Sequence, residues 1–270
     1  ELTWTYDQLE AEAGQEAIVL YGTEPGLHPG RHTNLYAASR PTFDHLCSFF
    51  QEPARFRAKD RLNGFDRSQI HRACMESFPD RQVAIVRHFH GHVADDDRDS
   101  RTSFAPELEV AMEAMQGRGN NLLGDNGRAG FPAIYLNHGF KIGLVGGSDH
   151  FRGRELTNRY CLTGFWVKER TTAGVWDALL NRRTVATSNA KIALWATVAD
   201  RGMGEEATVS GPVRIKASVA SARTIRRITL IRDGVVLPWT ALEATMATLE
   251  LNDNPGPGRH WYVVTAEAVS

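Results

Sequence analysis

The apolar run Ile142-Gly143-Leu144-Val145 leads directly into Gly146-Gly147-Ser148-Asp149-His150. This junction constrains the fold more than any other stretch, because a short apolar run that stops at glycines and small polar residues reads as a buried strand. Such a strand delivers an aspartate and a histidine to its C-terminal end, where parallel α/β sheets gather ligands and catalytic groups. A carboxylate beside an imidazole suits a divalent metal or a general acid/base pair. The same five residues also suit a turn with a helix cap.

The pattern recurs along the chain. Ala17-Ile18-Val19-Leu20-Tyr21-Gly22 predicts a strand with Glu24 at its end, and the loop that follows carries His28 and His32. Asn34 to Ala37 resumes an extended pattern, and Pro41 to Phe78 reads mainly as helices. Val83-Ala84-Ile85-Val86 predicts the next strand, ending in Arg87-His88-Phe89-His90-Gly91-His92. Asp95 to Ser100 is acidic and reads as a solvated loop. Glu107 to Gly117 mixes strand and helix signals, Asn120 to Gly130 reads as loop, and Phe131 to His138 as a short helix. Leu162 to Val167 predicts a strand. Thr172 then caps a helix with Val175, Trp176, Leu179 and Leu180 on its apolar face and Arg182-Arg183 in its last turn.

From Lys191 the character changes. Ile192 to Val198, Val213 to Val219, Ile225 to Ile231 and Trp261 to Val264 are β-rich segments, and Asp233-Gly234 is a hairpin signal. A small antiparallel β-sandwich over 191–270 is the economical expectation, after an α/β domain over 1–190.

Bulk properties exclude several classes. A chain of 270 residues, 42% of them hydrophobic, can bury a sizeable core. A net charge of −1 gives no electrostatic footprint for nucleic acid or an anionic membrane, and no apolar run reaches the length of a membrane span. The three cysteines, Cys47, Cys74 and Cys161, form no Cys-x-x-Cys pair. That argues against a disulfide framework and a zinc ribbon, and leaves the sulfurs as small buried hydrophobes. The chain opens in a helical pattern, Thr3 to Ala11, without a basic-then-apolar signal segment. Both ends read as cut from a longer protein, and a cytoplasmic location is the default expectation.

The order of these strand ends resembles the PHP (polymerase and histidinol phosphatase) superfamily of metal-dependent hydrolases, and most closely its bacterial branch of carbaryl-hydrolase-like enzymes. Tyr21-Gly22-Thr23-Glu24 and Arg31-His32-Thr33-Asn34-Leu35-Tyr36 are similar to that branch's Gly-Tyr-Glu and Gly-His-x-Asn-x-Tyr segments. Val83 to His88 resembles its strand ending in Pro-His, with Arg87 in the proline's place. Gly147-Ser148-Asp149-His150-Phe151 with Gly153-Arg154 is similar to its Gly-Ser-Asp-x-His and Gly-Arg motifs. Val175 to Thr187 and Gly202-Met203-Gly204-Glu205 also look like this branch, so the likeness runs from Tyr21 to Val264.

The resemblance implies a distorted β/α barrel, whole or incomplete, with the β-sandwich behind it. It implies two or three divalent cations (zinc, manganese or iron) held by Glu24, His88, Asp149 and His150. His32 and Arg154 would face the substrate or its developing negative charge. The implied activity is attack of a metal-activated water on a phosphoester, carboxyl ester or carbamate of a small molecule. Two departures stand against a complete site. The family's opening His-x-His and Asp-His strands have no counterpart before Glu24, and Phe151 occupies the position of the motif's final histidine. A PHP-derived binding or scaffold module without catalysis is therefore the alternative. His90 and His92 are either further ligands or loop histidines, and Arg154 has Glu155 beside it as an ion-pair partner.

Overall fold

A computed structural model describes residues 10–11, 17–25, 27–28, 33–51, 65–88, 104–116, 119–120, 122, 131–148, 161–188, 190–237 and 240–269. The chain is mixed α/β with strands predominating, and among the described residues those strands form open sheets rather than a closed barrel. It divides into two compact units: Glu1–Met112 with Phe165–Leu180, and Glu113–Gly164 with Asn181–Ser270.

In the first unit, β1 (Tyr21–Thr23), β3 (Thr33–Ala37), β5 (Val83–Arg87) and the start of β6 (Glu109–Gln116) lie side by side. A two-residue strand, β2 (Leu27–His28), pairs instead with β4 (Phe65–Asp66). β3 runs antiparallel to both β1 and β5, and β5 runs parallel to β6. The expected strand over Ala17 to Gly22 is shorter and later. β3 ends at Ala37, which pairs with Tyr21, so the residues before Tyr21 find no partner on it. The registers Thr23↔Leu35 and Leu35↔Ile85 bring the C-terminal ends of β1 and β5 to one edge of the sheet.

The continuous apolar run of β5 is explained by burial on both faces, since Val83, Ala84, Ile85 and Val86 are all buried. Two helices, α1 (Arg40–Gln51) and α2 (Arg67–Ser77), supply the rest of this core. α1 starts where the Ser39 hydroxyl accepts the Thr42 N–H, an N-cap, and buries Phe43 and Leu46. α2 buries Ile70 and Cys74 one turn apart against Leu35, Leu46 and Ile85. Burial pushes the Cys74 thiol up to about 12, and it also raises Cys47 and Cys161, where nearby Asp44 and Glu113 add to the effect.

β6 resolves the mixed signal of Glu107 to Gly117 in favour of a buried strand. Glu109, Glu113 and Gln116, spaced like the wet face of a helix, are all buried. Helix α4 (Thr172–Leu180) begins at the residue expected to cap it, so its cap lies one residue earlier. The Thr171 hydroxyl, not that of Thr172, accepts the Gly174 N–H. Arg182 is not in its last turn: it follows the helix with φ 60°.

The second unit contains β7 (Gly119–Asn120), α3 (Phe131–Asn137), β8 (Gly143–Gly147), β9 (Leu162–Phe165) and β10 (Thr184–Thr187), apart from Phe165. It continues with β11 (Ile192–Val198), β12 (Val213–Arg232), β13 (Val235–Val236), β14 (Thr240–Asp253) and β15 (Tyr262–Ala268). The region from 191 on is antiparallel, as the alternation implied. Val213–Val219 and Ile225–Ile231, read as two strands, are one strand of 20 residues with its register broken between Ala220 and Ile225. β11 pairs with its first half, β15 with its second, and β14 along most of its length. Leu194 of β11, Leu249 of β14 and Val264 of β15 then meet in one apolar cluster with Val219 and Ile228.

Asp233 and Gly234, with φ of 52° and 85°, form the expected two-residue hairpin turn. The Asp233 carboxylate also accepts the Trp261 N–H at 3.0 Å and bonds to His260 Nδ1 at 2.6 Å. Nearby, Asp253 accepts the Tyr262 hydroxyl at 2.7 Å and the Arg232 guanidinium at 2.6 Å. Desolvation pushes the Asp253 carboxyl up, but these donors outweigh it and hold the group below its ordinary value.

A carboxyl lowered in the folded state stabilises fully above its unfolded value, about 3.9, and loses that contribution as pH falls through the folded value. Thermal midpoints measured from pH 7 down to pH 2 should therefore fall more steeply in the wild type than in Asp253→Asn below pH of about 4.

Candidate functional site

The edge where β1 and β5 end is built around a buried ion pair. Arg87, the last residue of β5, donates through Nε to Glu109 Oε2 and through its terminal nitrogen to Glu109 Oε1 at 3.0 Å. Glu109 is 0% exposed and Arg87 5%. His71 Nε2 of α2 lies 3.3 Å from Glu109 Oε1, and the Arg87 guanidinium stands 5.3 Å from the centre of the Phe104 ring. Thr33, which pairs with Arg87 across the sheet, is buried and donates its hydroxyl to the Val86 carbonyl. The arginine that stands where the resembled family has proline is thus a two-pronged link between parallel strands.

His88 follows immediately. Its side chain is 2% exposed, and its Nε2 lies 3.7 Å from Glu24 Oε1, whose side chain is 41% exposed. Glu24 leaves β1 one residue after Thr23 and reaches this spot because the two strand ends share an edge. Two of the sequence-predicted ligands are therefore brought together, one buried and one open to water. Such a pair can share a proton or offer an imidazole nitrogen and a carboxylate oxygen to a cation. His32, Asp149, His150 and Arg154 lie outside the described residues, as do His90, His92 and Phe151. Among the described residues, no three His, Cys, Asp or Glu side chains gather as a metal cluster.

In the second unit, β8 carries the approach to the Ser-Asp-His motif. Gly146 is cross-braced to β9: its N–H is donated to the Thr163 hydroxyl at 3.0 Å, and that hydroxyl lies 2.8 Å from the Gly146 carbonyl. A Cβ on Gly146 would come within 2.5 Å of the Leu162 carbonyl oxygen, so backbone passes where a side chain would be. Gly147 faces Glu113 of β6, a buried carboxylate that accepts the Gln116 amide at 3.0 Å.

Sequence reasoning missed the buried acids of β6, and Arg87 was noted only as a departure from a motif. One signal was present. Glu109 and Glu113 sit in an otherwise apolar run, and acids in such a run are rarely left without partners once buried.

No family model, curated protein or solved structure matches the chain. Among the described residues, no helix is long and apolar enough to cross a membrane.

Two substitutions test this architecture. Glu109→Ala, which strands a buried guanidinium, should lower the unfolding free energy in urea by about 3–5 kcal/mol. Gly146→Ala should cost about 1–3 kcal/mol by the same measurement, because the obstructing atom belongs to the backbone.

Proposed function

We propose that the chain is a metal-dependent hydrolase of the PHP type, acting on a phosphoester, carboxyl ester or carbamate of a small molecule. The observation that supports this best is the approach of the buried His88 imidazole to the Glu24 carboxylate at one sheet edge. The donor chemistry fits zinc, manganese or iron. A neutral imidazole is a borderline ligand, a carboxylate a hard one, and the pair has protein on one side and water on the other. A divalent cation held there supplies Lewis-acid charge and lowers the pKa of water.

The chain's own residues have distinct tasks in this reading. His88 presents one ring nitrogen, and the neighbouring Arg87–Glu109 link fixes the backbone that carries it. Glu24 contributes the negative charge that offsets the cation. From the resemblance, Asp149 and His150 are further ligands, and His32 and Arg154 bind and stabilise the negative charge that develops on the substrate. In this reading β1, β3, β5 and β6 belong to a distorted PHP-type barrel over 1–190, and the strands from 191 on belong to a β-sandwich module. Two or three cations complete the centre.

Elemental analysis of the unchelated protein should find zinc, manganese or iron. Turnover of p-nitrophenyl phosphate or p-nitrophenyl acetate should stop on chelation and return with added metal. His88→Ala and Glu24→Gln should each weaken metal binding at least ~10-fold and remove turnover, with unchanged circular dichroism. A chain that stays metal-free after add-back would instead be a non-catalytic binding or scaffold module.

A further inference from the structure

The Gly202-Met203-Gly204-Glu205 stretch, to which the hydrolase reading gives no task, forms part of the wall of a cavity of about 1180 Å³. Every residue that lines this cavity belongs to the second unit, whereas Glu24 and His88 belong to the first. Strands β8, β10, β11 and β15 supply much of the remaining wall, with Leu144 and Val264 among its apolar side chains. The Gly-Met-Gly-Glu side of the wall is tied down. The Arg182 guanidinium donates to the Gly204 carbonyl at 2.6 Å, the Gly202 N–H donates to Glu205 Oε2 at 2.8 Å, and Lys141 pairs with Glu206 at 2.7 Å.

Three residues of this wall each hold a polar atom that is shut off from water and has no hydrogen-bond partner among the described residues: Thr184 Oγ1, Thr187 Oγ1 and His260 Nε2. Thr184 is only 4% exposed. His260 Nδ1 lies 2.6 Å from Asp233 Oδ2. A carboxylate only accepts, so Nδ1 carries the hydrogen and the neutral ring leaves Nε2 as an acceptor. Two of the three atoms face glycines of the wall. A Cβ on Gly143 would stand 3.0 Å from Thr184 Oγ1, and one on Gly258 would stand 3.7 Å from His260 Nε2. A turn of a threonine about χ1, or a small shift of this glycine backing, brings such an atom to the cavity.

A buried hydroxyl or ring nitrogen without a partner costs free energy, and folded proteins pair nearly all such groups with protein, water or ligand. Cavities with mainly apolar walls and a few convergent polar groups are the usual form of a small-molecule site. The orphaned set decides the chemistry of the occupant. A carboxylate or phosphate anion could accept from the threonines but would bring no hydrogen to Nε2. An alcohol or phenol brings one, and its oxygen also accepts from a threonine.

We infer that this cavity binds a largely apolar small molecule bearing hydroxyl groups, a phenol or an alcohol, whose O–H donates to His260 Nε2 and whose oxygen bonds to the Thr184 or Thr187 hydroxyl. The inference goes beyond the hydrolase reading and does not rest on it.

The test is calorimetric titration of the chelator-treated chain with β-naphthol, p-phenylphenol and diethylstilbestrol, each beside its methyl ether. Metal takes no part in this assay, so its outcome and that of the hydrolase tests are independent. At least one phenol should bind saturably and about 5-fold or more tighter than its ether, the worth of one hydrogen bond. Thr184→Val and His260→Phe should each weaken that phenol by about 5-fold and leave the ether's affinity unchanged. The melting temperature of Thr184→Val should hold or rise, because the substitution deletes a buried hydroxyl that has no partner. If His260→Phe does not fold, Thr184→Val and Thr187→Val decide. Loss in one variant alone supports the site and removes the other residue from its contacts. No saturable binding of any phenol, an ether as tight as its phenol, equal loss of phenol and ether in the variants, or wild-type phenol affinity in all folded variants overturns the inference.

Discussion

A guanidinium and a carboxylate, both out of water, hold the ends of two parallel strands in fixed relation. Arg87 and Glu109 meet through two parallel hydrogen bonds, a geometry that a lysine could not reproduce. Their burial is expensive, and the structure offsets it with good geometry, a histidine at 3.3 Å and an aromatic ring near the guanidinium. The apolar core behind the pair, from Val83 to Ile85 and out to Ile70 and Phe78, does not by itself dictate where β5 must stop. The ion pair does. It ends the apolar run at Arg87 and leaves His88 at the edge shared with Glu24.

The strands that could be read from residues alone are those with a single strong signal. β5 announces itself as four consecutive apolar residues, and the turn after β12 as Asp-Gly. β8 is found by its apolar run and its glycines, although it extends two residues further into the motif than that run suggests. β14 was invisible for a physical reason. Thr240–Asp253 mixes alanine, threonine and leucine without a sustained alternation, its half-buried positions changing phase between Ala244 and Ala247, and it takes its extended form from pairing with β12. β12 read as two strands because Ser221 to Thr224 interrupts its alternation where the register breaks.

The candidate site was legible to the same extent. Strand-end logic found Glu24 and His88, because it concerns where chains leave a sheet. It could not find Glu109 or Glu113, whose meaning depends on which strand lies alongside. A carboxylate in an apolar run says that a partner must exist, but only the pairing of β6 with β5 identifies that partner as Arg87. The two glycines of β8 are similar in sequence and different in cause. Gly146 makes room for a backbone carbonyl, and Gly147 for a side chain.

Among the described residues, the four other strands of the β-module sheet each bond to β12 and depend on it for their place there. A strand that leaves β12 leaves the sheet, so the module has a hub instead of a chain of neighbours. Its amide protons should exchange as a hierarchy, with outer strands opening first and β12 last. The hub also shapes assembly. The Arg227–Glu267 contact between β12 and β15 spans 40 residues of chain, so the module closes late, through contacts distant in sequence.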